Sequence, residues 1–398
     1  GLAMKQAVTE VTENGKKISV LNVSITDDIT LKKTADVADD IESIADMFKE
    51  GSVTKADRYV IDLGGNTLTQ ETDVQFAPHA MDVVFKNGEL AFSDAKMPND
   101  KSVFNPTGSG KFTLDGVTMT TAAATAILVE YGYEGEDGNE VPVIPEIVIN
   151  NSTINAGGAY AVSTNASIKA TEGAPVTGDE TQISVVATDP EVKITITNST
   201  LTAGVSYNIL TGKYENNNSV EGTALFINVP SDVTVDGSTL VANRQVVMVR
   251  GGELKMSDST IELVKDDSIT NDLDVTWTDG NSAPHAAMML GNDYSDNAYQ
   301  YKTTVILDNV TFNVDASDYT VVVASDYSDA TLVDQDDTVF AKGEDGKPIE
   351  NFASITTMPI MVYFDGGNCV NDKQIDFVDG YDKGTIQLID CGDASGIY

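Results

Sequence analysis

The sequence is poor in basic residues, and it has no long hydrophobic run. Its 398 residues include 24 Lys and Arg against 62 Asp and Glu, for a net charge of −38 at pH 7. So large an acidic excess repels phosphate backbones and anionic lipid headgroups, which argues against nucleic acid and membrane surfaces as partners. The best apolar run, Ala122 to Val129, is too short to span a membrane and is interrupted by Thr125.

Cysteine and histidine are scarce, and this narrows the chemistry further. Cys369 and Cys391 are the only cysteines, too few for a disulfide framework or a clustered zinc site. His79 and His285 are the only histidines, and no Gly-x-Ser-x-Gly motif is present, so no nucleophile triad is indicated. The hydrophobic fraction of 41% nevertheless exceeds that of a disordered acidic chain, so we expect a folded protein.

An eight-residue pattern recurs along the chain. Seven copies begin at Val83, Phe112, Ile147, Ile194, Val233, Leu254 and Val305, and a looser copy begins at Tyr59. Positions one, three and eight are apolar, and position five is always Gly, Asn or Asp, the residue types that tolerate positive φ. Alternation before position five is typical of a half-buried strand, and it resumes after a one-residue kink. Each copy therefore predicts a strand, a left-handed corner and a second strand.

Other columns of the repeat are also restricted. Position six is small or β-branched, and position seven is Thr in all copies but one, which predicts a row of Thr side chains along one side. A further strand often follows, as in AILVEY from Ala126 and QVVMVR from Gln245. The final apolar positions Leu240 and Ile261 are separated by about one turn of a β-solenoid. No single unit buries its own apolar side, so the units must stack.

These repeats resemble those of the right-handed parallel β-helix in the pectate-lyase-like superfamily. The YVIDLGGNTLT segment at Tyr59 resembles bacterial secreted or surface-attached, adhesin-like members. The resemblance covers roughly Thr34 to Val323 and implies an all-β, single-stranded parallel β-helix. The superfamily holds lyases, hydrolases, tailspikes and adhesins, so the resemblance does not fix an activity. We expect N-terminal strands and a cap over 1–58, β-helix repeats over 59–330, and final repeats or a C-terminal cap over 331–398.

The N-terminal region is expected to contain a capping helix. A helical face is formed by Val37, Ile41, Ile44, Ala45 and Phe48, with Asp36, Asp39 and Asp40 in the first turn, Lys49 in the last and Gly51 at the end. Such a helix would cover the open edge of the first repeat. Ahead of it, Ile18 to Ile25 alternates like a strand.

Beyond Phe312 the eight-residue pattern is lost. Strands are still expected at Thr320–Ala324, Pro359–Phe364 and Thr385–Ile389. If these belong to successive repeats stacked in register, Cys369 and Cys391 lie ~5 Å apart. The pair is then either a disulfide or two buried thiols, and the sequence does not decide between them.

The longest excursion between repeats, Lys265 to Lys302, is the preferred glycan-contact region. Exposed aromatic side chains stack on sugar faces, and carboxylates accept hydrogen bonds from sugar hydroxyls. The candidate ligand-binding residues are Trp277, Asp279, Tyr294, Asp296, Tyr299 and Tyr301. The alternative, which stays open, is that these aromatic side chains only pin the loop to the body of the protein.

Two acidic segments, Glu130 to Val143 and Ala341 to Ile349, both contain Gly-Glu-Asp-Gly, a tight-turn sequence. They are interpreted as hairpin tips. A calcium loop is the alternative, although neither segment has the carboxylate spacing of a helix-flanked calcium loop. No other metal or cofactor is indicated.

The sequence does not indicate catalysis. Elimination on an acidic polysaccharide needs a basic cleft, and Arg58, Arg244 and Arg250 are the only arginines. Hydrolysis by paired carboxylates needs two acids ~5–10 Å apart, and chance alone provides many pairs among 62 acids. The sequence favours a non-catalytic, adhesin-like or glycan-binding protein of the bacterial exterior, its signal peptide removed. Its partner would be a neutral glycan or a host or cell-surface component. A polysaccharide-degrading enzyme is the alternative, and a purely structural spacer is a third.

Overall fold

The protein is almost entirely β-structure in the parts of the chain that the structure describes. The computed structural model describes residues 3–33, 41–48, 55–92, 102–135, 141–166, 191–217, 220–249, 252–266, 285–290, 303–315, 319–323, 360–365, 369–370 and 386–389. Most strand pairs within these residues are parallel, and they form two large sheets. The expected all-β class with parallel strands is therefore confirmed.

The strands follow one another closely along the chain, and one helical turn lies among them. In chain order the strands are β1 (Met4–Glu13), β2 (Lys16–Ile25), β3 (Ile29–Leu31), β4 (Arg58–Asp62), β5 (Thr67–Gln70), β6 (Asp82–Phe92), β7 (Ser102–Phe104), β8 (Lys111–Thr121), β9 (Thr125–Glu134), β10 (Val141–Val143), β11 (Glu146–Asn150), β12 (Thr153–Ala156), β13 (Tyr160–Ala166), β14 (Val192–Thr197), β15 (Thr200–Ala203), β16 (Val205–Asn208), β17 (Lys213–Asn216), β18 (Thr223–Ile227), β19 (Ser231–Asp236), β20 (Thr239–Ala242), β21 (Gln245–Val249), β22 (Gly252–Ser257), β23 (Thr260–Leu263), β24 (Ala286–Leu290), β25 (Thr303–Asp308), β26 (Thr311–Asn313), β27 (Tyr319–Val323), β28 (Ile360–Asp365), β29 (Cys369–Val370) and β30 (Ile386–Ile389). The helical turn is α1 (Ile44–Met47).

The strands are divided between two large sheets and a separate hairpin. The 8-stranded second sheet contains β7, β9, β10, β13, β18, β21, β24 and β27. The hairpin is β16–β17, and all remaining strands form the 20-stranded first sheet. The further strands predicted after the repeats are thus confirmed as the second sheet, while β7 and β18 were not predicted.

The eight-residue pattern is the pairing register of the first sheet. Tyr59 lies opposite Val83, Val83 opposite Phe112, and Phe112 opposite Ile147, and the same column continues through every later copy. The Thr column is likewise one row of paired residues from Thr118 to Thr311. The apolar positions of all these copies are buried and belong to one hydrophobic core.

The predicted left-handed corner is present in every copy. All seven residues at position five have positive φ, between 46° and 66°: Asn87, Gly116, Asn151, Asn198, Gly237, Asp258 and Asn309. The corner residue and its successor separate the two strands of a repeat, as between β14 and β15, whereas β6 and β8 run through the corner as single strands. Several of the long connections, such as that from β23 to β24, instead join a strand of the first sheet to a strand of the second.

The small residue at position six forms a hydrogen-bonded ladder between repeats. The Ser199 hydroxyl accepts a hydrogen bond from the Ser152 N–H at 3.0 Å and donates to the Thr197 carbonyl at 2.7 Å. Ser152, Ser238 and Ser259 make equivalent pairs of bonds. The serines are buried, so each hydroxyl satisfies an N–H that the corner removes from the regular strand ladder.

An outward-facing row of the first sheet carries charges that alternate in sign. Arg58, Asp82, Lys111, Glu146 and Lys193 occupy successive positions of this row and are followed by an acidic residue, Asp232. Arg58 Nε lies 2.6 Å from Asp82 Oδ2, and Lys111 Nζ lies 3.0 Å from Glu146 Oε1. Two of the few basic residues, Lys111 and Lys193, therefore separate carboxylates that the register would otherwise place side by side.

The N-terminus differs from the expectation. The alternating segment at Ile18 to Ile25 lies within β2, which pairs in parallel with β4 and antiparallel with β1. A tight turn at Asn14 and Gly15, both with positive φ, joins β1 to β2. The strand β1 was not predicted, and it covers the edge of β2 that a helix was expected to cover.

The predicted capping helix is wrong for the described residues, because α1 is a single turn. Residues 41–43 are not helical, and Ser43 caps the turn by accepting a hydrogen bond from the Asp46 N–H. Asp36, Val37, Asp39, Asp40, Lys49 and Gly51 lie outside the described residues. The segment is fixed by tertiary contacts instead: Phe48 stacks on Phe76 at 4.7 Å, and the Ile44 N–H donates to Gln70 Oε1.

The repeat continues beyond Phe312, contrary to the loss of the pattern in the sequence. The three predicted C-terminal strands are present as β27, β28 and β30, and Val362 of β28 pairs with Val305. Cys369 pairs with Phe312, so Val362 and Cys369 fill the first and eighth positions of one more copy. Cys391 lies outside the described residues, so the choice between a disulfide and two buried thiols stays open, and the division into 1–58, 59–330 and 331–398 stays a prediction.

Candidate functional site

Most of the sequence-predicted sites lie outside the described residues. This applies to all six glycan candidates, Trp277, Asp279, Tyr294, Asp296, Tyr299 and Tyr301, to Arg250 and to the acidic segment Ala341 to Ile349. The flanks of the other acidic segment are a hairpin, since Val141 of β10 pairs antiparallel with Glu134 of β9. No cluster of three or more His, Cys, Asp or Glu suited to a metal occurs within the described part of the chain.

Two residues discussed from the sequence are buried at the corner that leads into the second sheet. Arg244 is 7% exposed, and its Nη2 lies 2.9 Å from Glu221 Oε2, so it does not line an open basic cleft. His285 is 1% exposed, and burial lowers the pKa of its imidazole to about 4, with the nearby Arg244 charge acting in the same direction and Asp266 opposing it. His285 is therefore neutral at physiological pH.

The β16–β17 hairpin has the most exposed large apolar side chains among the described residues. Ile209 and Leu210 at its tip are 85% and 92% exposed, and Tyr207 is 58% exposed. Tyr207 and Tyr214 are cross-strand partners, with ring centroids 5.1 Å apart and planes at 62°. Exposed aliphatic and aromatic groups concentrated in one projecting element are typical of a contact surface.

Local hydrogen bonds fold the hairpin tip. The Asn208 side-chain oxygen accepts from the Leu210 N–H at 2.8 Å, and its amide donates to Glu215 Oε1 at 2.6 Å. The Gly212 N–H bonds to the Asn208 carbonyl at 2.8 Å, and Gly212 has a φ of +67°. The tip is therefore held in one conformation, and its apolar side chains are presented to solvent.

A buried asparagine, Asn243, anchors the base of the hairpin to the first sheet. Its side-chain nitrogen donates to Asn216 Oδ1 at 2.6 Å and to the Val220 carbonyl at 2.7 Å. Its oxygen accepts from the Gly222 N–H at 2.6 Å. One side chain, 2% exposed, thus joins three points of the chain at and after the second hairpin strand.

The tyrosine face of the hairpin is turned toward the outer face of the first sheet. Tyr214 and Asn216 alternate on one side of β17, and Asn216 contacts Asn243. Val241 points outward in the same row as Thr202 and Glu262, yet it is fully buried. The hairpin therefore lies over this part of the row.

Glu262 is the neighbour of Val241 in this outward row, and its charge acts on Tyr214 of the hairpin. Burial raises the pKa of the Glu262 carboxyl above its ordinary value, against the effects of a hydrogen bond from Asn313 and of the Lys213 charge. Burial also raises the pKa of Tyr214, and the Glu262 charge and Tyr207 act in the same direction. We name the two rings and the carboxylate the Tyr-Glu site: Tyr207, Tyr214 and Glu262.

Sequence reasoning did not find this site, although a signal was present. Val205 and Tyr207 alternate with polar residues, Thr211-Gly212 supplies a turn, and Tyr214 follows at the mirrored position. The segment lies between two copies of the eight-residue pattern, where the sequence alone indicates no more than an insertion.

Comparison with protein families, with curated proteins and with solved structures finds no match to this chain. Among the described residues, no helix is long and apolar enough to cross a membrane.

Proposed function

We propose that the chain is a right-handed parallel β-helix of the pectate-lyase-like kind that acts as a non-catalytic, adhesin-like or glycan-binding protein. In this proposal it is secreted or attached to the bacterial surface. The parallel pairing of repeats in register supports the fold. The separation between a constant strand framework and variable connections supports a binding role, because binding residues concentrate on loops carried by a rigid scaffold.

The observation that carries the proposal is the anchored hairpin with its exposed tyrosine and aliphatic tip. Aromatic faces beside carboxylates suit sugar rings, which present C–H surfaces and hydroxyl groups. The connection that contains Trp277 begins at the end of β23, and the hairpin begins at the end of β15. In the first sheet β15 pairs with β20 and β20 pairs with β23, so the two starting points are two strands apart. Neighbouring strands are ~4.8 Å apart, so the two links start about 10 Å from each other on one side of the molecule.

A glycan array combined with a reducing-sugar assay over a panel of polysaccharides tests this proposal. We expect binding without turnover, and Tyr207→Ala and Trp277→Ala should each weaken it while the melting temperature changes by only a few degrees. Turnover of any glycan would overturn the non-catalytic role. A large loss of stability in Trp277→Ala would show that this side chain packs the loop and does not contact ligand.

One observation favours the enzyme alternative. A carboxyl whose pKa is raised by burial, as that of Glu262 is, suits the general acid of a paired-carboxylate glycoside hydrolase. If the protein is such an enzyme, Glu262→Gln abolishes sugar release. Release that persists in Glu262→Gln would exclude Glu262 as the acid.

A further inference from the structure

We propose that the Tyr-Glu site binds an organic ammonium group, such as the amine of an amino sugar or a choline-type headgroup. This goes beyond the proposed glycan-binding role, which does not require a cation. It stands on the contact between two tyrosine rings of a hairpin that lies over the outward row in which Glu262 is half-buried.

The ring arrangement suits a cation. Tyr207 and Tyr214 are fixed opposite each other by the hairpin register, and their rings meet edge to face with planes at 62°. The face of an aromatic ring carries negative potential, and a cation within about 6 Å of the centroid is attracted to it. Tyr207 is more than half exposed, which leaves a ligand access from solvent.

The carboxylate completes the site. Glu262 is half-buried on the outer face of β23, where it is the neighbour of the buried Val241 in the outward row that the hairpin covers, and its charge acts on Tyr214. A partly desolvated carboxylate interacts more strongly with an opposite charge than an exposed one does. The Asn243 anchor holds the hairpin in place, so little ordering is needed on binding.

The same features argue against a hard metal ion and against an anion. Calcium takes six to eight oxygen ligands, and two aromatic faces with one carboxylate do not provide them. An anion is opposed by Glu262 and by the net charge of −38, which attracts cations to the whole molecule. An ammonium group with attached carbon atoms uses both the rings and the charge.

Lys213 provides a further prediction, because its charge already acts on Glu262. It competes with a bound cation for the same carboxylate. Lys213→Gln should therefore tighten binding of an ammonium ligand, whereas a site for a neutral sugar would change little or weaken.

Isothermal titration calorimetry with a glucosamine hexamer, an N-acetylglucosamine hexamer and choline tests the inference. The two hexamers differ in the charged amine, and choline carries the ammonium without a sugar. We expect the glucosamine hexamer to bind, the acetylated hexamer to bind at least about tenfold more weakly, and added salt to weaken binding. Tighter binding of choline than of the glucosamine hexamer would show that the site prefers the ammonium group of a choline-type headgroup. Tighter binding of the glucosamine hexamer would show that it prefers the amine of an amino sugar.

Variants localise the effect. Tyr207→Leu and Glu262→Gln should each weaken binding of the better ammonium ligand about three- to tenfold, while Tyr207→Phe, which keeps the ring face, should retain it. Glu215→Gln is the matched control, because Glu215 lies on the opposite face of β17 next to Tyr214 and Gln keeps its acceptor for Asn208.

Two results would overturn the inference. One is equal binding of both hexamers with the same dependence on Tyr207, which would make the site a neutral-sugar site and leave the proposed function intact. The other is ammonium binding that responds equally to Glu262→Gln and Glu215→Gln, which would reduce it to a general charge effect. Failure of the proposed function is separate: it is the absence of any glycan binding on the array.

Discussion

Replacement of the corner glycine Gly116 separates backbone strain from steric packing. Gly116 has a φ of +66°, and a Cβ atom built there would meet its nearest neighbour, Asn87 Oδ1, at 3.5 Å, an ordinary contact. Any loss of stability therefore comes from the backbone conformation. A left-handed conformation costs an L-residue about 1–2 kcal/mol, and a β-branched side chain is at the upper end or beyond.

We expect Gly116→Val to lower the free energy of unfolding by about 2–3 kcal/mol, and Gly116→Asn by less than about 1 kcal/mol. Asn is the matched control, because Asn87, Asn151, Asn198 and Asn309 already occupy the same corner with positive φ. Urea denaturation of both variants measures the difference through the midpoint, provided that the slope is unchanged.

Gly237 extends the comparison to a crowded corner. A Cβ atom there would lie 2.7 Å from Asn198 Oδ1, so a steric cost adds to the backbone cost. Gly237→Val should thus destabilise more than Gly116→Val, and Gly237→Asn should be less well tolerated than Gly116→Asn. Equal stabilities for Gly116→Val and Gly116→Asn would refute the assignment of strain to the corner.

Three further predictions concern buried polar groups. Ser199→Ala leaves the Ser152 N–H unsatisfied and should cost about 1–3 kcal/mol in urea denaturation, whereas Ala at the outward-facing Thr200 should cost clearly less; equal costs would contradict the ladder. Asn243→Ala should speed proteolysis within Val205–Asn216 with little change in melting temperature, and an unchanged cleavage rate would contradict the anchor. His285 is neutral in the folded state, so below the ordinary histidine pKa of about 6.5 it gains a proton only in the unfolded chain. The free energy of unfolding should therefore fall by up to about 3 kcal/mol as the pH is lowered from 6.5 to 4. His285→Gln should flatten this pH dependence in thermal melts, and an unchanged profile would assign it to other groups.

The register and the corners of the first sheet were predictable because two local rules coincide at one place. Alternation with a period of two fixes which side chains face the core, and Asn, Gly or Asp at the fifth position marks where the chain turns. A shift of the pairing register by one residue would turn Val83 and Phe85 away from the core, so only one alignment of the copies keeps their apolar side chains buried.

The serine ladder, the hairpin and the last repeat were not predictable in the same way. A small residue at position six indicates only a packing requirement, and the paired strands are needed to show that Ser152 and Ser199 bond across a repeat. Among the described residues the capping helix is not supported, because an amphipathic pattern of a few residues is easily overridden by tertiary contacts such as those of Phe48. The copy at Val362 was hidden because its fifth to seventh residues, Gly-Gly-Asn, lack the Thr of the other copies.

The alternating charges of the first sheet make the protein sensitive to the parity of its repeats. Excising the single repeat that carries Lys111 would bring Asp82 next to Glu146, and excising the one that carries Glu146 would bring Lys111 next to Lys193. Removing two adjacent repeats restores opposite neighbours, as between Asp82 and Lys193. Shortened or lengthened versions of this protein should therefore be built in steps of two repeats within Arg58 to Asp232, because only such steps keep opposite charges side by side in the row.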